Sequence, residues 1–345
     1  MKRMARIFLS ILALYSISTN ISCMEHQSYA RQDPFSDLFR KKDVTIVVTD
    51  SGLGGLSIVT NLLGKLEASR TFQKVKLIFV NALFSNEGGY NSLKTRGEKI
   101  QVFDSALHSM EQKFRPDLIM IGCNTLSVLF KDTSFARQSR TPVLDIVIHG
   151  IDLISENLKI RPDAKVVLMG TQTTIEDDTH RSSLIDMGFL PDRFITQACP
   201  DLVTYIEKGY DSDETEMLIF AYVDEVLQKI PQDKNSLIVS LNCTHYGYSI
   251  SLWEKAYNNL GVKNLAIVNP NTRMNSLFET EQYFDRYKTT DIEVEVISMV
   301  DIPRDRIDSI GKWLNRESTK VEQALLVYTK LPDLFEWRHL VNRDQ

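Results

Sequence analysis

Between residues 44 and 270, short runs of β-branched and aliphatic residues alternate with longer stretches whose apolar positions recur at helical spacing. The first four runs are TIVVTD at 45–50, KLIFVNA at 76–82, DLIMIGC at 117–123 and TPVLDIV at 141–147. Four more follow: AKVVLMG at 164–170, FITQAC at 194–199, SLIVSLNC at 236–243 and NLAIVNP at 264–270. Their continuous apolar character predicts strands covered on both faces, and the stretches 57–67 and 96–114 predict helices between them. The fold class expected is therefore α/β, with parallel, doubly wound sheets.

The two sets of four are in register. Cys123 and Cys243, each at the end of the third run of its set, are 120 residues apart, and so are Asp50 and Gly170 at the ends of the first runs. Two coincidences at one offset predict an internal duplication, hence two pseudo-symmetric domains. The boundaries expected are 43–148 plus 265–317 for the first domain and 149–264 for the second, with a C-terminal extension over 318–345. In that extension Ala324, Leu325, Leu326 and Leu331 are expected to pack on the body. Ligands of such sheets bind beyond the carboxyl ends of the strands, which places both cysteine motifs at a cleft between the domains.

Composition adds limits. The chain has 345 residues, 43 % hydrophobic and 25 % charged, and its formal net charge is -5. Lys and Arg are scattered, leaving no basic footprint for nucleic acid, so a small-molecule ligand is expected. The first 23 residues place Lys2, Arg3 and Arg6 before the apolar run Ile7 to Ile17, and small or polar residues follow. That order predicts an export signal and an envelope location, periplasmic or lipid-anchored through Cys23; the alternative is a cytoplasmic enzyme with an irregular N-terminus. Residues 24–42 read as a polar tether.

Of the four cysteines, Cys199 reads as a small buried hydrophobe. Cys123 and Cys243 differ because their polar context is duplicated: Cys123-Asn124-Thr125 against Cys243-Thr244-His245. Inverting an α-carbon requires a base on one face and an acid on the other, which two thiols across a cleft supply. Asn124, Thr125 and Thr244 would grip the substrate carboxylate and stabilise carbanion charge. Taken singly, His245 reads equally as a structural histidine, Glu207 as a solvated charge and Asp50 as a cap.

At these residues the chain resembles the glutamate racemases of the aspartate/glutamate racemase family. Asp50-Ser51-Gly52-Leu53-Gly54-Gly55 is similar to the family's opening segment, and Cys123-Asn124-Thr125 and Cys243-Thr244-His245-Tyr246 to its two cysteine motifs. Ala198-Cys199-Pro200 with Glu207, and the Thr171 to Thr174 loop, continue the likeness over residues 45 to 315. The resemblance implies a cofactor-independent isomerase making D-glutamate for cell-wall peptidoglycan. It implies that Cys123 and Cys243 are the catalytic pair, that Asp50 and Ser51 contact the substrate amine and that Asp50 assists Cys123. It also implies that His245 and Glu207 assist Cys243 and that Thr171 and Thr174 line the substrate site. The family's Pro-Tyr-Gly-Ser loop is replaced by Gly89-Tyr90-Asn91-Ser92, so Tyr90, Asn91 and Ser92 become the candidates for the distal end of the substrate. Asn81 stands where an Asp is usual, and Asp177 beside Glu176 adds negative charge that would disfavour an acidic substrate.

A dinucleotide-binding reading of Gly52-Leu53-Gly54-Gly55-Leu56-Ser57 fails, because the third glycine position is Ser57 and Asn81 stands where an acidic residue would meet the ribose. No lysine sits in a Schiff-base context, and six dispersed histidines offer no metal site. The readings left open are a racemase for glutamate, a racemase for aspartate or another amino acid, and an exported amino-acid-binding relative without turnover. A homodimer is also left open.

Overall fold

The computed structural model describes residues 35–230 and 236–341. The export signal, Cys23 and the start of the tether lie outside the described residues. Four strands open the fold: β1 (Asp43–Asp50), β2 (Lys74–Asn81), β3 (Leu118–Ile121) and β4 (Val143–Asp145). A second set follows, β5 (Lys165–Gly170), β6 (Phe194–Ala198), β7 (Leu237–Asn242) and β8 (Leu265–Val268), and the chain then returns through β9 (Asp291–Ser298) and β10 (Thr329–Lys330). The first sheet runs β10-β9-β2-β1-β3-β4 and the second β6-β5-β7-β8, with every pairing parallel. The order β2-β1-β3-β4 thus recurs as β6-β5-β7-β8, which is the duplication written as topology.

Strand burial follows from the apolar runs. In β1, Ile46 and Val48 point into one core and Val47 into another, the alternation of a strand covered on both faces. The core holding Ile46 and Val48 continues through Val167 and Met169 of β5 and Val239 and Leu241 of β7, so the two sheets share packed interior. The helix Leu56–Ser69 buries one face, Leu56, Ile58, Val59, Leu62, Leu63 and Leu66, in that shared core and leaves Asn61, Gly64, Glu67 and Ala68 exposed. The helix Arg96–Phe114 is started by a capping box between Thr95 and Glu98. The strand expected over 141–147 is cut to three residues because the Asp145 side chain caps the helix Ile146–Ile160, accepting from the backbone of Val147 and Ile148.

Three expected boundaries move. Residues 36–40 of the expected tether form a short helix whose Leu38 and Phe39 are buried, Phe39 stacking on Tyr283 with centroids 4.2 Å apart. β8 pairs with β7, so residues 265–268 belong to the second sheet, and the return to the first sheet comes after them. The segment from 318 is built in: the helix Thr319–Leu326 buries Val321, Ala324 and Leu325, and β10 extends the first sheet beside β9. Leu326 and Leu331 are half-buried against the body, and beyond them Leu334, Phe335 and Trp337 are buried, Trp337 lying 5.0 Å from the Phe84 ring.

Candidate active site

In each sheet the first strand lies between the second and third, so successive crossovers leave in opposite directions and open a crevice at the strands' carboxyl ends. Asp50 closes β1, Cys123 follows β3, and Cys243 follows β7. Cys123 precedes the helix Asn124–Phe130, and its sulfur lies 3.2 Å from the Ser51 hydroxyl. Burial pushes the Cys123 thiol well up, the charge of Asp50 adds to this, and hydrogen bonds with Ser51 oppose it.

Cys243 precedes a tight turn over Thr244–Ser249, and its sulfur is 3.8 Å from His245 Nδ1. On the other side of the ring, Nε2 lies 2.8 Å from Glu207 Oε1. Glu207 comes from the helix Leu202–Lys208 and also accepts from the Leu53 N–H at 2.9 Å and from Arg306 Nη1 at 2.8 Å. Burial works against the charged form of His245, but its hydrogen bonds with Cys243 and Glu207 and the Glu207 charge outweigh it and hold the imidazole well above its usual range. Glu207 is held below its usual range despite burial, through His245 first and Arg306 second.

The glycine loop permits this arrangement. A Cβ at Gly54 would sit 2.6 Å from His245 Nδ1 and 2.8 Å from the His245 backbone nitrogen, and closer still to the Thr244 hydroxyl. Thr244 and His245 occupy the space beside that loop, which is a packing contact between the halves.

Asp50 joins the two thiol neighbourhoods. It is fully buried and receives the Thr244 hydroxyl at Oδ2 (2.6 Å). Burial raises its pKa, with the nearby His245, the Thr244 hydrogen bond and the neighbouring Cys123 thiol working the other way. Among the described residues its Oδ1 has no partner, and neither do both side-chain polar atoms of Asn124 or the hydroxyl of Tyr90. Buried polar groups are normally paired, so this cluster of vacant donors and acceptors is where a polar ligand would be satisfied.

The remaining expected residues divide. Thr125, Thr171 and Thr174 form a hydroxyl chain, with 2.8 Å from Thr125 to Thr171 and 2.9 Å from Thr171 to Thr174. Asn91 Oδ1 accepts from the Thr173 N–H at 3.1 Å, tying the loop after β2 to the helix Gln172–Asp177. Ser92 is exposed and donates to the carbonyl of Gly89, so it is turned into its own loop and away from the cluster. Asn81 bonds Ser298 and the Leu83 N–H and holds the strand exit. The charge expected from Asp177 is already neutralised: Arg96 Nε lies 3.0 Å from its carboxylate, and the Thr179 hydroxyl donates to it. Cys199 is buried, with its sulfur 3.9 Å from the Gln197 carbonyl. Arg306 and the buried Lys99 were not foreseen. Arg306 lies in the first turn of a strongly charged helix in which nothing marks one arginine, and Lys99 is one of several charges on its own helix.

No protein-family model matches the chain. Among curated proteins, it is 25 % identical over 241 residues to glutamate racemase 3 of Caldanaerobacter subterraneus, covering 70 % of this chain and 79 % of that one. It is 28 % identical over 208 residues to the glutamate racemase of Syntrophus aciditrophicus, covering 58 % and 67 %. Among solved structures, the glutamate racemase of Francisella tularensis in complex with D-glutamate superposes with a TM-score of 0.61 at 22 % identity, over 80 % of this chain and 95 % of that one. The RacE1 isoform of Bacillus anthracis gives 0.62 at 19 % over the same shares. The Escherichia coli enzyme in complex with L-glutamate gives 0.55 at 19 %, over 81 % and 96 %. In sequence and in its fold of two parallel sheets, the chain is similar to the glutamate racemases.

Proposed function

We propose that the protein is a cofactor-independent amino-acid racemase that interconverts L- and D-glutamate, with Cys123 and Cys243 working from opposite faces of the α-carbon. The observation that carries this reading is the Asp50–Thr244 hydrogen bond, which ties the two duplicated cysteine motifs into one buried polar cluster. The relatives' names and the D- and L-glutamate in two neighbouring structures support the choice of substrate.

In the L-to-D direction the α-proton passes to the sulfur of Cys243 acting as thiolate, and the Cys123 thiol gives its proton to the opposite face, leaving Cys123 as thiolate. The reverse reaction exchanges the roles. Burial beside Asp50 pushes the Cys123 thiol toward its protonated form, which suits it as the donor in the first direction. His245, oriented by Glu207, stands where it can take up and return the Cys243 proton. Asn124, Thr125 and Thr244 surround the place for the α-carboxylate, where donors stabilise charge that grows as the carbanion forms. With the export signal read over 1–23, the reaction would run in the bacterial envelope.

Heavy-water exchange tests the reading. Glutamate of either hand should acquire deuterium at the α-carbon and lose optical purity, faster than aspartate or glutamine does. Glutamate that binds without exchange would make the chain a binding protein, and faster exchange of another amino acid would move the substrate assignment.

A further inference from the structure

Lys99 is a buried cation with no ion-pair partner among the described residues. The capping box that starts the helix Arg96–Phe114 turns Lys99 inward, leaving it 8 % exposed. Among the described residues, its ammonium has one hydrogen-bond partner, the neutral hydroxyl of Thr173 at 2.7 Å, and no ion pair. The carboxylate acting on it from a distance is that of Glu176, which is exposed and receives the side-chain amide of Gln172. An ammonium carries three donors, and a buried charge is costly unless paired. Two of the three donors of Lys99 therefore have no partner among the described residues.

The surroundings say which side of the site this is. Thr173, the partner of Lys99, also gives its N–H to Asn91, the residue after Tyr90, whose buried hydroxyl has no partner among the described residues. Its neighbour Thr174 begins the hydroxyl chain through Thr171 to Thr125, two residues from Cys123. Lys99 thus stands at the far end of a polar track that starts beside the first thiol. Other groups there are already engaged: Arg96 is paired with Asp177 and Asp132, Asn91 with Thr173, and Ser92 with the Gly89 carbonyl.

We infer that Lys99 is the specificity-determining residue of this site, its ammonium receiving the carboxylate at the far end of an acidic amino acid's side chain. The inference rests on the racemase reading for the position of the α-carbon, and it names the group that makes the site select an acidic substrate. The Thr173 hydroxyl holds the ammonium in place until that carboxylate arrives, and Asn91 fixes Thr173.

Binding measured by calorimetry on the full chain tests it, with L-glutamate and L-glutamine compared on the parent, Lys99→Met and Lys99→Arg. Methionine keeps the length and burial of the side chain and removes the charge. The ratio of glutamate to glutamine affinity should fall at least about tenfold in Lys99→Met, the scale of a hydrogen bond to a charged group, and recover in part in Lys99→Arg. Equal weakening of both ligands, which a purely structural contact would give, overturns the inference, and so does an unchanged ratio. If Lys99→Met does not fold, Lys99→Gln carries the same comparison. A parent that binds glutamate but does not exchange its α-hydrogen overturns the racemase reading and leaves Lys99 as the anion receptor. A parent that exchanges glutamine in preference overturns the role of Lys99 and leaves the thiol chemistry.

Discussion

Thr244 donates its hydroxyl proton to Asp50 at 2.6 Å, so the residue after the second cysteine is bonded to the strand end beside the first. Asp50→Asn keeps the shape and an acceptor for Thr244 but removes a carboxylate whose second oxygen is buried without a partner among the described residues. The α-hydrogen exchange rate should fall by about 10²-fold or more, the range for a positioned acid or base. The melting midpoint should hold or rise, because a buried charge with a vacant oxygen is costly. Exchange at the parent rate would remove Asp50 from the reaction.

Cys123→Ser and Cys243→Ser should each lower racemisation by roughly 10²–10⁴-fold without loss of fold, since serine is similar in size but a far weaker acid. A substrate with a leaving group on its β-carbon needs one base for elimination. Cys243→Ser should therefore still eliminate from the D enantiomer and Cys123→Ser from the L enantiomer. Both variants racemising at the parent rate would refute the two-thiol mechanism.

The buried Glu207–His245 pair sets a pH window for stability. The folded pKa of His245 is raised, so its contribution is complete below its ordinary value of 6.5 and is lost as pH rises through the folded value. That of Glu207 is lowered, so its contribution is complete above its ordinary value of 4.5 and is lost as pH falls through the folded value. Glu207→Gln should cost about 3 kcal/mol between those limits, the scale for breaking a buried pair, and less on either side. Urea unfolding of parent and variant as a function of pH gives the difference directly, and a difference independent of pH would contradict the assignment.

Two glycines should respond in opposite directions. Gly54→Ala places a methyl group against Thr244 and His245 and should destabilise by about 1–3 kcal/mol, with loss of exchange, because both neighbours are displaced. Gly64→Ala, in the helix Leu56–Ser69 with open space around the new methyl, should stabilise by about 1 kcal/mol. Thermal denaturation of the two variants side by side checks both, and a neutral Gly54→Ala would show that the loop gives way.

The sequence carried the succession of strands twice over, because a strand buried on both faces leaves an unbroken apolar run whichever partner it takes. What the runs do not encode is the partner. NLAIVNP at 264–270 reads the same whether β8 joins the first sheet or the second, and only its pairing with β7 decides. Leu38 and Phe39 are two apolar residues in a polar stretch, too few for a period, and β10 is two residues long. The cysteine motifs were legible because they stand at strand ends in duplicated context. Arg306 meets Glu207 across 99 residues of sequence, and Lys99 is one of several charges on its helix, so neither had a local signature.

The strands of the second sheet all lie within residues 165–268, whereas the first sheet takes β9 and β10 from residues 291–330. On a chain emerging from the ribosome, the second half has its full set of strands first. β2 meanwhile keeps an open edge from Lys74 to Asn81 until Asp291–Ser298 arrives to pair with it. An unpaired edge of eight residues in an apolar strand is a template for wrong partners. The passage from residue 81 to residue 298 is therefore the interval in which this protein is most exposed to aggregation, and chains ended before residue 291 should collect in the insoluble fraction.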